Sequence, residues 1–200
     1  MGHTDISVTS NVYTHLKLED AQREMERLER IEKDMQDKIK VLMVCHGNIC
    51  RSTMAQSIFT HLVNRQHLDT VFEIDSAATS REEIGNPPHY GTKNKLYEEH
   101  IPLIPHRARQ MTRDDYLYYD FLIGMDTANI RNMTRIAGGS DSQQKIFKML
   151  SFADYGTKHK LTAARDVADP WYTGDFDATF DDVMSGCRGL LEYIKEVYNL

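Results

Sequence analysis

Cysteine is scarce in this chain: three in 200 residues, an odd number with no metal-ligand spacing. That excludes a secreted disulfide framework and offers no zinc site. A run of about eighteen apolar residues, the length needed for a membrane helix, is missing. The first residues contain no apolar core of a signal peptide. Positive charge is also short: 24 Lys and Arg face 30 Asp and Glu, a formal net charge of −6. Neither nucleic acid nor an acidic membrane surface is therefore an expected partner. What remains is 40% hydrophobic residues, enough for one ordinary domain with an appendage. The expected location is a reducing cytoplasm.

One octet stands out: Cys45-His46-Gly47-Asn48-Ile49-Cys50-Arg51-Ser52. It follows Val41-Leu42-Met43-Val44, an apolar run with the character of a buried strand. It precedes Ser52 to Asn64, where Met54, Ile58, Leu62 and Val63 recur at helical spacing. A loop between a strand and a helix N-terminus is a ready anion site, because unpaired N–H groups and the helix dipole face it. Cys45 becomes a thiolate beside that fixed positive potential. Arg51 offers a planar fork that matches two oxygens of a phosphate. Backbone N–H groups from His46 to Ser52 cradle the remaining oxygens. This is an arrangement for attack on a phosphoryl group through sulfur. It needs no metal and no cofactor.

The octet resembles the signature loop of the low-molecular-weight protein tyrosine phosphatases. Asp169-Pro170-Trp171-Tyr172 resembles that family's acid loop. Between them Ile74 to Ser80, Gly85-Asn86-Pro87, His106 to Gln110 and Ile123-Gly124-Met125-Asp126 match in order, so the resemblance covers about residues 38–200. It implies hydrolysis of aryl phosphate esters, with protein phosphotyrosine or a small aryl phosphate as substrate. Cys45 would be the nucleophile and Arg51 the phosphate ligand. Asp169 would protonate the leaving oxygen, then activate the water that clears the sulfur. Ser52 would both cap its helix and donate to the thiolate. Ser76 and His106 would support Asn48 from behind, although an ordinary loop histidine also fits position 106. Trp171 and Tyr172 would wall an aryl ring. Cys50 has two readings: a small buried residue, or a reversible disulfide partner for Cys45, as in related enzymes. Many relatives place an aromatic in the cleft where this chain has Glu82, followed by Glu83; the rim here is expected to be acidic.

Two other chemistries occur on the same fold. Arsenate reductases need further cysteines for a disulfide relay, and only Cys187 lies outside the octet. Protein-arginine phosphatases have Thr at the position of Ile49 and lack the paired aromatics after Asp-Pro. Ile49 with Trp171 and Tyr172 therefore favours an aryl ester.

The alternation of apolar runs predicts an α/β fold: a four-stranded parallel sheet with helices on both faces. Strands are expected at Val41–Val44, Val71–Asp75, Asp120–Met125 and Lys145–Leu150. Helices are expected at Ser52–Asn64, Tyr90–His100, Thr127–Ile136 and Phe176–Val197. Residues 1–37 form an expected N-terminal helical extension, and 38–200 the phosphatase-like domain. Within the extension, Leu18, Ala21, Met25, Leu28, Ile31 and Met35 make a narrow stripe on a charged helix, docked on the domain or self-associating. Residues 1–34 also resemble the C-terminal end of phage-integrase-type tyrosine recombinases, with His3 and Tyr13 at the catalytic His and Tyr positions. The Arg and Lys phosphate ligands of that family have no counterpart in this sequence. A remnant, a fusion scar or a mis-assigned start, without DNA chemistry, is the expectation.

Overall fold

In the computed structural model, residues 20–28, 38–161 and 164–200 are described. The chain divides into two units, Met1–Lys38 and Ile39–Leu200, one residue later than the boundary expected from sequence. In the first unit residues 20–28 form helix α1, with every residue exposed. Ala21, Met25 and Leu28 of the expected stripe fall there. Leu18, Ile31 and Met35 lie outside the described residues, as do His3 and Tyr13.

The second unit has a sheet of four parallel strands in the order β2-β1-β3-β4. The strands are β1 (Ile39–Cys45), β2 (Phe72–Ala78), β3 (Phe121–Gly124) and β4 (Ile146–Lys148). Period-two alternation in β1 sorts its side chains onto two cores. Val41, Met43 and Cys45 join one with Met54, Ile58 and Phe59 of α2 (Arg51–Arg65). Val183, Cys187, Leu190 and Ile194 of α8 (Phe176–Tyr198) complete that core. Leu42 and Val44 face the other, with Tyr116 of α4 (Arg113–Tyr118) and Met133 of α5 (Thr127–Ile136). Helices therefore cover both faces, as the all-parallel sheet requires. α3 (Tyr90–Glu98), α6 (Tyr155–Lys158) and α7 (Pro170–Thr173) complete the set.

The fourth strand is shorter than expected from Lys145–Leu150. It stops at Lys148, and Met149–Phe152 turn into a 3₁₀ helix. The reason lies on α8, where Gly186 and Gly189 let this segment lie directly against the helix. A Cβ on Gly189 would sit 1.8 Å from the Phe152 carbonyl oxygen. Helix α4 was absent from the sequence expectation. It is one and a half turns opened by a capping box between Thr112 and Asp115.

From β1 the chain runs to β2 on one side and later to β3 on the other. The crevice at the carboxyl ends of these strands is thus a topological switch point. Cys45 ends β1, and Asp126 follows β3 by two residues.

Candidate active site

The octet leaves β1 at Cys45 and enters α2 at Arg51. The N-cap, Cys50, gives α2 no side-chain hydrogen bond. The first N–H groups of α2 thus remain free for an anion. Asn48 makes the turn possible with φ +58, a left-handed conformation its short amide side chain tolerates.

The Cys45 sulfur is held from below. Ser52 Oγ lies 3.1 Å from Sγ, and the Asn48 N–H donates to the sulfur at 3.2 Å. Asn48 is fully buried, and its side chain fixes the polarity of this network. Its Nδ2 donates to Ser52 Oγ and to Ser76 Oγ, both at 2.9 Å. Its Oδ1 accepts from His106 Nε2 at 2.7 Å and from the Arg109 N–H at 3.1 Å. Ser52 Oγ accepts from Asn48, so its own hydrogen is free for the sulfur. Ser76 likewise passes its hydrogen to Gln56 Oε1 at 2.7 Å. Because Asn48 Oδ1 can only accept, the His106 proton resides on Nε2. Burial, the largest influence, lowers the His106 pKa from the usual histidine value. The fold thus brings Ser76 and His106 together on the Asn48 amide.

Arg51 is almost fully buried, and its fork is occupied by carboxylates. One terminal nitrogen donates to Asp126 Oδ2 at 2.7 Å and to the Val167 carbonyl at 3.2 Å. The other donates to Asp169 Oδ2 at 2.5 Å. Burial opposes the guanidinium charge, but Cys45, Asp169 and Asp126 outweigh it and raise its pKa. Asp169 is itself placed by α7: it is the N-cap, its Oδ1 accepts from the Trp171 N–H, and Pro170 starts the helix.

Above the sulfur lies a pocket of about 110 Å³. His46, Gly47, Ile49, Cys50 and Arg51 line its floor and sides, with Asp169. Glu82, Glu83, Trp171 and Tyr172 complete the lining. Trp171 meets the His89 ring edge-on at 5.8 Å, and that ring stacks on Phe176. The side chains of Asn48 and Ser52, both fully buried, lie outside the pocket lining and contact the sulfur network instead. Burial, then the neighbouring charges of Cys45 and Asp169, push the Cys50 thiol up to about 12. It stays protonated at neutral pH. Asp126, Gln56 and Arg109 were not assigned roles from sequence. Asp126 lay in a segment matched by resemblance, but its side chain meets Arg51 only through the fold.

A buried sulfur with two donors, a helix N-terminus, a guanidinium and a nearby carboxylic acid can together take a phosphoryl group from oxygen. Comparison with known proteins agrees. The family model described as low molecular weight phosphotyrosine protein phosphatase matches residues 40–199. The low molecular weight protein-tyrosine-phosphatase YfkJ of Bacillus subtilis is 39% identical over 158 residues, 79% of this chain and 97% of the relative. The human low molecular weight phosphotyrosine protein phosphatase is 35% identical over 154 residues, 76% of this chain and 93% of the relative. The crystal structure of YfkJ superposes with a TM-score of 0.72 at 38% identity, covering 80% of this chain and 96% of that one. A Drosophila arginine phosphatase superposes with a TM-score of 0.68 at 26% identity, covering 78% and 98%.

Proposed function

The chain belongs to the low molecular weight phosphotyrosine protein phosphatase family, and we propose that it hydrolyses protein phosphotyrosine and small aryl phosphates through a thiophosphate on Cys45. The observation that carries this reading is the convergence on one pocket of Cys45, the Arg51 fork and Asp169, with Trp171 and Tyr172 at the mouth.

The phosphoryl group enters over the sulfur and takes up the loop N–H groups and Arg51. In doing so it replaces Asp169 on the guanidinium, while Asp126 keeps its own bond. Cys45 Sγ attacks phosphorus. The S–P bond forms, the P–O bond to the aryl group breaks, and Asp169 gives its proton to the departing oxygen. Asp169, now a carboxylate, takes a proton from water. The water oxygen bonds to phosphorus, the S–P bond breaks, and the thiolate returns with inorganic phosphate released. Ser52 and the Asn48 N–H stabilise the sulfur anion at the start and end of this cycle. The nucleophile requires a reduced thiol, a condition that a reducing cytoplasm supplies. No helix among the described residues is long and apolar enough to cross a membrane.

The likeness to the Drosophila enzyme makes phosphoarginine the second substrate to consider. The apolar Ile49 side and the Trp171–Tyr172 mouth suit an aryl ring better. Arsenate reduction is disfavoured because Cys187 is fully buried and burial raises its thiol pKa. The test is turnover of p-nitrophenyl phosphate, a phosphotyrosine peptide, a phosphoarginine peptide and arsenate by wild type and Cys45→Ser. Hydrolysis of the two aryl phosphates, lost in Cys45→Ser, is the expected result. Preference for phosphoarginine, or ordinary turnover by Cys45→Ser, overturns the proposal.

A further inference from the structure

The pocket lining includes two exposed aromatics, Trp171 and Tyr172. It also includes two carboxylates, Glu82 and Glu83, and both are anchored. Glu82 Oε2 lies 3.0 Å from His46 Nε2, so Glu82 is tied to the residue after the proposed nucleophile. The Glu83 carboxylate accepts from Asn86 Nδ2 at 2.6 Å. Its alkyl stem lies on the nucleophile loop: a Cβ on Gly47 would come within 3.1 Å of Glu83 Cγ. That spot is open to Glu83 only because residue 47 has no side chain. The acidic pair is therefore built onto the loop rather than left loose in solvent. Arg51, the guanidinium in the pocket lining, is buried and already paired with Asp126 and Asp169.

A peptide whose phosphotyrosine reaches the floor must lay its neighbouring residues across this mouth. A bound phosphate answers Arg51 and the loop N–H groups, leaving Glu82 and Glu83 to meet whatever flanks the tyrosine. Like charge there is repelled and opposite charge is attracted. We infer that Glu82 and Glu83 are specificity-determining residues that select phosphotyrosine substrates carrying Lys or Arg beside the tyrosine. The inference rests on the proposed phosphotyrosine activity and names the substrate class for that same pocket.

An exposed ion pair is worth about a factor of 1.4–5 in affinity, so two give roughly two- to twenty-five-fold. The test uses two phosphotyrosine peptides identical except for flanking residues, Lys in one and Glu in the other. Their kcat/KM values are measured at about 0.02 M and about 0.5 M salt, across which screening of exposed charges becomes strong. The Lys peptide should win by a factor in the stated range at low salt, mainly through KM. The ratio should fall toward one at high salt. It should also fall toward one in Glu82→Gln/Glu83→Gln, near-isosteric replacements at one exposed and one half-buried position, and invert in Glu82→Lys/Glu83→Lys. A ratio near one for the wild type at low salt overturns the inference, as does a preference that survives the double Gln substitution. Either result leaves Cys45-dependent hydrolysis standing. Failure to hydrolyse either peptide would instead remove the phosphotyrosine reading itself.

Discussion

Asn48→Ala is the most revealing single substitution, because one fully buried side chain organises the sulfur's surroundings. Four hydrogen bonds end on its amide: two donated by Nδ2 and two accepted by Oδ1. Each is worth about 0.5–1.5 kcal/mol net, and each partner left buried and unpaired costs about 1–3 kcal/mol. Alanine also inherits φ +58, which an L side chain without a local amide adopts at about 1–2 kcal/mol. Water entering the vacated space recovers part of this. A loss of about 3–5 kcal/mol in unfolding free energy is expected, or roughly 10 °C in Tm at about 2–4 °C per kcal/mol. Asn48→Gly removes the same bonds without the backbone strain, so it should be similarly destabilised but slightly less so. Asn48→Asp keeps the two acceptor roles and loses the donations to Ser52 and Ser76, which separates these from the bonds to His106 and Arg109. In all three variants the Ser52 hydroxyl is no longer held toward Cys45. The kcat/KM for p-nitrophenyl phosphate should fall by about ten- to a hundredfold, the worth of one hydrogen bond to a charged group. Urea unfolding and steady-state kinetics measure the two effects. If Asn48→Ala and Asn48→Gly both lose less than about 1 kcal/mol, the network does not stabilise the loop and the argument fails.

Arg51→Lys should lower kcat/KM severely, because a point charge cannot span Asp126 and Asp169 or grip two phosphoryl oxygens at once; near-normal kinetics would refute the fork's role. Asp169→Asn should slow aryl phosphates with poor leaving groups by about 10²–10⁴-fold and those with good leaving groups far less, and equal losses across a leaving-group series would reduce Asp169 to a structural cap. Burial lowers the pKa values of both His89 and His106 from the usual histidine value. The folded state therefore binds fewer protons than the unfolded one, and stability present above about pH 6.5 should be lost as pH falls toward the folded-state values. His89→Asn, which can still cap α3 without titrating, should flatten part of that slope in urea midpoints measured across the range. Deleting residues 1–34 should leave kcat and KM nearly unchanged, since no proposed site residue precedes Cys45; a large loss with the fold intact would give the N-terminal segment a part in the pocket or its assembly.

How far the sequence was readable depended on whether a feature was local. The octet places sulfur, glycine, the left-handed Asn48 and the arginine within one turn of chain, so its chemistry was visible without any fold. The parallel sheet was equally visible, because β1 to β3 are short apolar runs separated by helical spacing. Asp126 was not. One of its oxygens caps α5 by accepting from Asn129 N–H at 2.6 Å, and the other holds Arg51. Along the chain only the cap can be seen, since the second role depends on β3 lying beside β1. The fourth strand was overextended for a similar reason: its end is set by Gly186 and Gly189, over thirty positions downstream. Helix α4 buries only Tyr116, so it has no apolar period, and its capping box was the sole local sign. Glu83 was read as a neighbour of Glu82 rather than as a residue packed on Gly47, a contact made by the turn at Gly85.

The double grip on Arg51 explains why two carboxylates are tolerated beside a site for an anion. A guanidinium this deeply buried would be costly if left unpaired while the pocket is empty. Asp126 and Asp169 remove that cost, but they are not equivalent. Asp126 is 18% exposed at its side chain and is fixed by its helix cap, so it stays. Asp169 sits on α7, a four-residue helix held at its far end by Gly174 in the left-handed region, and it is the partner that can be exchanged. A phosphoryl group arriving at Arg51 supplies the negative charge Asp169 had provided. Released from the guanidinium, the Asp169 carboxyl is free to face the leaving oxygen, the position that the proposed general-acid role requires. Substrate binding and placement of the proposed acid would thus be one event, carried by a single arginine whose fork lysine lacks.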